Sequence, residues 1–145
     1  MNFFVDAAES GCDSSACKSA QPGDVVTFGS YPQGEQGEVA PILWRVLENT
    51  GEELFLLSES ILDCKRYHGK APGITWYDCV DITWRDCDLR AWLNSEFYDA
   101  AFSEEEGQQI KTSHCTDNGD GTPDTEDRVF VPSAVEITAA TERLG

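Results

Sequence analysis

Positive charge is scarce in this sequence. Ten Lys and Arg stand against 27 Asp and Glu, a formal net charge of −17 over 145 residues. Phosphate backbones and anionic bilayers repel such a chain, which argues against direct nucleic-acid or membrane binding. Long apolar runs are also missing. The longest, such as Leu54-Phe55-Leu56-Leu57, fall far short of the roughly 18 residues a membrane span needs. Met1-Asn2-Phe3-Phe4-Val5-Asp6 has neither a basic start nor a long apolar stretch, so no signal peptide is expected in this chain. None of the six cysteines has Cys-x-x-Cys spacing, which removes the usual signature of zinc ribbons and thioredoxin-like redox sites. There is no Gly-x-Ser-x-Gly elbow, no His-Glu-x-x-His and no phosphate loop, so the common hydrolase and nucleotide motifs are excluded.

What is present fits one folded domain. A chain of this length can bury about 68–70% of its unfolded surface. Ala8–Ser15 is small, polar and without apolar period, and residues 1–21 read as an N-terminal extension to a single domain over 22–145. Val25–Gly29, Ile42–Leu47 and Glu53–Ser58 are rich in β-branched and aromatic residues and predict strands. The last two are joined as a hairpin by Asn49-Thr50-Gly51. Their continuous apolar character predicts burial on both faces. Ser60–Cys64 reads as one helical turn, and residues 65–83 as a loop broken by Gly69, Pro72 and Gly73. Leu89, Trp92, Leu93, Phe97 and Ala100 recur at helical spacing and predict a helix over 88–101. Ser103-Glu104-Glu105-Glu106 and Ser133-Ala134-Val135-Glu136 are capping boxes. They open helices toward Lys111 and Arg143. Between them lie an acidic loop, 116–127, and a strand, 128–131. The fold class is α+β: a small antiparallel sheet with two or three helices.

Several of these segments, taken in order, resemble an uncharacterised bacterial family, domain of unknown function 6273. They include Gly23–Gln33, Ile42–Leu47, Ile61–Tyr67, the string Thr83-Trp84-Arg85-Asp86-Cys87-Asp88-Leu89-Arg90-Ala91-Trp92-Leu93-Asn94, Phe97–Glu106 and Thr125–Phe130. The resemblance runs over residues 22 to about 138. It implies a layout similar to C-type-lectin-like and formylglycine-generating-enzyme-like folds, with loops presented for recognition at a bacterial cell surface. Relatives of that kind continue with a segment like Trp-Leu-Arg-Ser-Pro-Gly, whereas this chain stops at Leu144-Gly145. A C-terminally shortened version leaves an open sheet edge, so a homodimer through that edge is expected.

The acidic loop carries the sharpest chemical pattern. Thr116, Asn118, Asp120, Gly121, Thr122, Asp124 and Asp127 fall at positions 1, 3, 5, 6, 7, 9 and 12 of a calcium-loop register. Calcium takes six to eight hard oxygens, and a glycine at the sixth position permits the turn. The candidate calcium ligands are Asn118, Asp120, Thr122, Asp124 and Asp127. A zinc site would draw on Cys64, His68, His114 and Cys115, but adjacent His114 and Cys115 point apart in regular structure. Disulfides are the simpler expectation for the cysteines, and they favour an extracellular or cell-surface location. A cysteine enzyme would use Cys79, Cys87 or Cys115 as nucleophile, with His68 or His114 as base. Trp44 and Trp92 read as core. Trp76, Tyr77 and Trp84 sit in a loop, where aromatics suit a ligand surface, although large aromatics also pack as core beneath a long loop and that is the first reading of them.

The leading expectation is therefore a non-enzymatic recognition module with a protein or carbohydrate ligand, stabilised by calcium. The alternatives are an acidic DNA mimic that inhibits a basic nucleic-acid-binding protein, and a cysteine-dependent enzyme.

Overall fold

The computed structural model of the protein describes residues 4–8, 19–69, 82–119 and 121–144. It is α+β. Strands β1 (Phe4–Ala8), β2 (Val25–Gln33), β3 (Glu38–Asn49), β4 (Glu53–Ser58) and β7 (Val129–Phe130) form one antiparallel sheet, ordered β2-β3-β4-β1-β7. Strands β5 (Ser113–Cys115) and β6 (Thr125–Asp127) make a separate hairpin. A 3₁₀ turn (Trp84–Asp86) leads into α1 (Asp88–Trp92), a π-helical turn (Leu93–Phe97) and α2 (Tyr98–Ala101). These run on as one helical rod. Two further helices, α3 (Glu104–Gly107) and α4 (Ala134–Leu144), complete the fold.

The strands expected from composition are present: β2 and β3 are longer than expected, β4 has the expected bounds and β7 is shorter than 128–131. Burial alternates along β4 and along β3 as far as Val46, where the register shifts and Leu47 is buried as well. Ile42, Trp44, Val46, Leu54 and Leu56 face the core, while Leu43 is 45% exposed. The continuous apolar runs are thus half-buried strands, not strands buried on both faces, because an antiparallel sheet can leave one face to solvent. The β3–β4 turn is held by Asn49 Oδ1, which accepts from Gly51 N at 2.8 Å, with Gly51 at φ +86°.

Phe4–Ala8 lies inside the sheet, between β4 and β7. The segment read as an extension therefore supplies a strand, paired Phe4↔Leu57 through Ala8↔Glu53. Ser60–Cys64, by contrast, forms no helical turn.

The rod covers the core face of the sheet. Phe97 and Phe102 anchor it among aromatic rings. Phe28 and Phe102 centroids are 5.3 Å apart, Tyr31 and Phe97 4.9 Å, and Trp44 and Phe102 6.3 Å. At the β2 bulge, between Thr27 and Ser30, the ladder is interrupted. The buried Trp44 indole donates to the Phe28 carbonyl there at 2.6 Å, which satisfies a buried acceptor. Gly29 N donates to Glu106 Oε1 at 3.1 Å. The bulge, Pro32 and this side-chain contact are features that blunt a strand edge against a second chain.

Candidate functional site

The string from Trp84 to Asn94 meets β6 at one buried carboxylate. Asp127 is 1% exposed. It accepts from Trp84 Nε1 (2.9 Å), Arg90 Nε (2.6 Å), Thr125 Oγ1 (2.7 Å) and, more weakly, Asn94 Nδ2 (3.4 Å). A buried carboxylate is tolerated only when paired and hydrogen-bonded, and here both oxygens are. Arg90 reaches on to the carbonyls of Arg85 and Glu126. Asn94, in the π turn, donates to Val129 O at 2.9 Å, and its Oδ1 accepts from Arg128 N (2.7 Å) and Val129 N (3.2 Å). The string is a latch between the helical rod and the β6–β7 corner. The polar side-chain atoms of Trp84, Arg90 and Asn94 are engaged within the protein, while Arg85 is exposed.

Cys87 caps α1. Its sulfur accepts from Arg90 N at 3.4 Å and meets the Tyr67 hydroxyl. Burial pushes the Cys87 thiol up, against the hydrogen bonds that favour its thiolate. Burial likewise pushes the Tyr67 hydroxyl up to about 12, with Cys87 adding to the shift.

Beside the latch opens a cleft of about 360 Å³. Its apolar lining is Tyr67, Trp84, Leu89, Phe130, Val131 and Pro132. Its polar lining is Cys115, Asp117, Asn118, Ser133 and Glu136. Tyr67 and Leu89 are brought together when Leu89 N donates to Tyr67 O at 3.1 Å. Glu136 is held by the expected capping box: its Oε2 accepts from Ser133 N at 2.7 Å, and Ser133 Oγ accepts from Glu136 N at 3.1 Å. The Cys115 thiol is pushed up to about 12, first by burial and then by the carboxylates of Asp127, Glu136 and Glu126, with Arg90 opposing. A thiol so shifted is protonated at neutral pH and a poor nucleophile.

The acidic loop is organised by its own hydrogen bonds. Asn118 Nδ2 donates to the carbonyls of Cys115 and Pro123, both at 3.0 Å, and to Thr125 Oγ1 at 3.3 Å. Thr122 Oγ1 donates back to Gly119 O at 2.6 Å. Asp124 faces His114 Nε2 at 3.3 Å, and Glu126 meets His114 Nδ1 at 2.6 Å. The Asp127 oxygens are held by the latch. Asp120 lies outside the described residues, as do Trp76, Tyr77, Cys12, Cys17 and Cys79. Among the described residues, no group of three or more His, Cys, Asp or Glu side chains is placed to hold a metal ion. The four residues considered for zinc are distributed differently. Cys64 is exposed, His68 sits 3.4 Å from Asp88, His114 pairs with the two carboxylates, and Cys115 lines the cleft. Cys64, Cys87 and Cys115 are free thiols, so the described residues hold no disulfide.

A few of the acidic side chains serve the backbone. Asp24 accepts from Gln21 N, Asp88 from Gly69 N, and Glu106 from both Gly29 N and Ser103 N. Glu59 pairs with Arg45, and Glu53 with Lys111.

Of the three aromatics read as a ligand surface, Trp84 is described. It is 9% exposed, with its indole N–H on Asp127 and its ring lining the cleft. Trp92, expected in the core, is half-buried with Lys65 Nζ 4.7 Å above its ring. Sequence reasoning missed Tyr67, Leu89, Val131 and Glu136 as cleft residues. The one available signal was that the Trp84–Asn94 string and the Thr125–Phe130 segment stood out together. Among the described residues no helix is long and apolar enough to cross a membrane.

No curated protein and no solved structure matches the chain. A family defined by sequence does match, over residues 51–145. That range takes in the latch, the cleft and α4, while Gly23–Gln33 and Ile42–Leu47, read as part of the same resemblance, lie outside it. On this match, which spans well over half its length, the chain belongs to the family described as domain of unknown function (DUF6273).

Proposed function

We propose that this domain is a non-enzymatic recognition module whose ligand seat is the cleft between Tyr67, Trp84, Leu89 and Val131. The observation that carries the reading is the cleft itself. It is concave and mainly apolar, with a few polar groups at its side, the usual make-up of a binding site. Chemistry is less well supported. Cys87 and Cys115 are both shifted away from thiolate, the reverse of an activated nucleophile. Trp84, Arg90 and Asn94 of the string commit their side-chain hydrogen bonds to the fold. Asp117 and Asn118 of the acidic loop belong to the cleft lining in this reading.

The test is a fragment screen with short peptides and oligosaccharides, read by protein NMR. Hits are expected to shift the resonances of Leu89, Val131 and the Trp84 indole. Val131→Trp, which fills the cleft from a half-buried position, is expected to abolish those shifts while leaving the melting temperature within a few degrees. Hits that act only on His114 and Glu126, away from the cleft lining, or on exposed acids such as Glu104, would sink the proposal.

A further inference from the structure

We infer that the cleft takes an extended segment of another protein in which an apolar side chain stands next to Lys or Arg. The inference rests on the cleft being the ligand seat and adds the chemistry of its occupant. The apolar lining asks for an aliphatic or aromatic group, since burying such a group is the main favourable term available there. The charged residues that line it, Asp117 and Glu136, are both acidic, and no described lining residue is basic. Glu136 is half-buried and fixed in place by its Oε2 bond to Ser133 N. Among the described residues its Oε1 makes no hydrogen bond. A positioned carboxylate oxygen beside an apolar surface is a strong acceptor for an ammonium or guanidinium group. The potential inside the cleft agrees. After burial, the influences that raise the Cys115 thiol are three carboxylates, opposed by Arg90 alone. The whole chain, at −17, steers cations toward it and anions away.

A glycan fits less well. Sugar recognition needs polar groups free to meet hydroxyls, and the Trp84 N–H and the Asn118 amide are already engaged. A small polyamine would meet the carboxylates and leave the apolar lining unfilled. About 360 Å³ lies near the lower end of ligand pockets, room for one or two side chains.

The experiment titrates the full chain with three blocked tripeptides, Leu-Phe-Lys, Leu-Phe-Gln and Leu-Phe-Glu, by ¹⁵N NMR. The Lys peptide is expected to shift Leu89, Val131 and Glu136, and to bind about fivefold more tightly than the Gln peptide, with the Glu peptide weakest. Glu136→Gln keeps a capping-box residue and is expected to erase the Lys–Gln difference. Asp117→Asn, on an exposed loop position, is expected to reduce it. Equal binding of all three peptides at the cleft would overturn the charge preference and leave the seat in place. No shift at the cleft with any of them would overturn both readings. Lys-peptide shifts confined to Glu104 and Glu105 would mark unspecific attraction and overturn this one.

Discussion

Asp127 holds together two stretches of chain that are distant in sequence. Its partners Trp84 and Arg90 lie 43 and 37 positions away, and Thr125 lies on its own strand. Removing one member of a buried pair leaves the other without compensation, which costs about 3 kcal/mol. Asp127→Asn is expected to lose about that much stability in urea denaturation. Because the oxygens face Arg90 and Trp84, the loss should be equal with calcium and with a chelator. A loss seen only in the presence of calcium would return Asp127 to the metal register. The reason that register looked plausible is physical. A twelve-residue spacing records which side chains can converge locally. It holds no information about an arginine and an indole arriving from another element. Trp84 shows the same limit. Its place in a loop is compatible with a ligand surface or with packing beneath the loop, and the 3₁₀ turn folds it under the β6–β7 corner. Its ring lines the cleft from a mostly buried side chain.

The helical rod and the sheet meet closely at Gly29. Its φ is +69°, a region that side chains rarely adopt. A Cβ there would stand 2.6 Å from Ala101 O and 2.7 Å from the Phe102 ring. Gly29→Ala therefore combines backbone strain with a clash, and about 2–4 kcal/mol of destabilisation is expected. Glu106→Ala removes two bonds at once, to Gly29 N and to Ser103 N, and should cost about 1–2 kcal/mol. The two changes touch one contact, so the double variant should lose less than the sum. Denaturant melts of the three variants measure this. A Gly29→Ala protein as stable as the parent would show that the rod does not press on the bulge. Elements of this kind differ in how far the sequence reveals them. Capping boxes at Ser103 and Ser133 are local patterns and were legible, as were the β3–β4 hairpin and the apolar stripe of the rod. β1 was not. Five residues that end Asp-Ala-Ala have weak strand propensity, and only pairing with β4 and β7 makes them a strand. The π turn was equally hidden, because the apolar spacing of 88–101 is compatible with an unbroken α-helix. The cleft needs both: the rod, the β6–β7 corner and the start of α4 must meet before it exists.

The whole molecule carries its −17 charge on a fold whose shifted groups mostly resist losing protons, and the two effects separate under salt. Glu59 is held below its ordinary 4.5 by Arg45, so its contribution is present above that value and is lost as the pH falls through the folded pKa. His114 is raised above 6.5, chiefly by Glu126, so its contribution is present below 6.5 and is lost as the pH rises through its folded value. Tyr31, Tyr67 and Cys115, all pushed up to about 12 by burial first, act alike at higher pH. Their contribution is full below about 9–10, the ordinary range of thiols and phenols, and falls away toward the folded values. Stability should thus be greatest between about pH 5 and 6 and decline in two stages, one around neutrality and one in alkali. Near pH 8, added salt screens self-repulsion across the acidic surface and should raise the melting temperature. Near pH 11 the same salt should recover little. The loss there comes from ionising the half-buried Tyr31 and Cys115 and the hydroxyl of Tyr67, a residue 44% exposed but shielded at that group, and counterions do not relieve desolvation. Melting curves at the two pH values, with and without about 0.5 M salt, decide between these origins. Full recovery by salt in alkali would assign the alkaline loss to repulsion between surface charges, and would remove burial of Tyr31, Tyr67 and Cys115 as its cause.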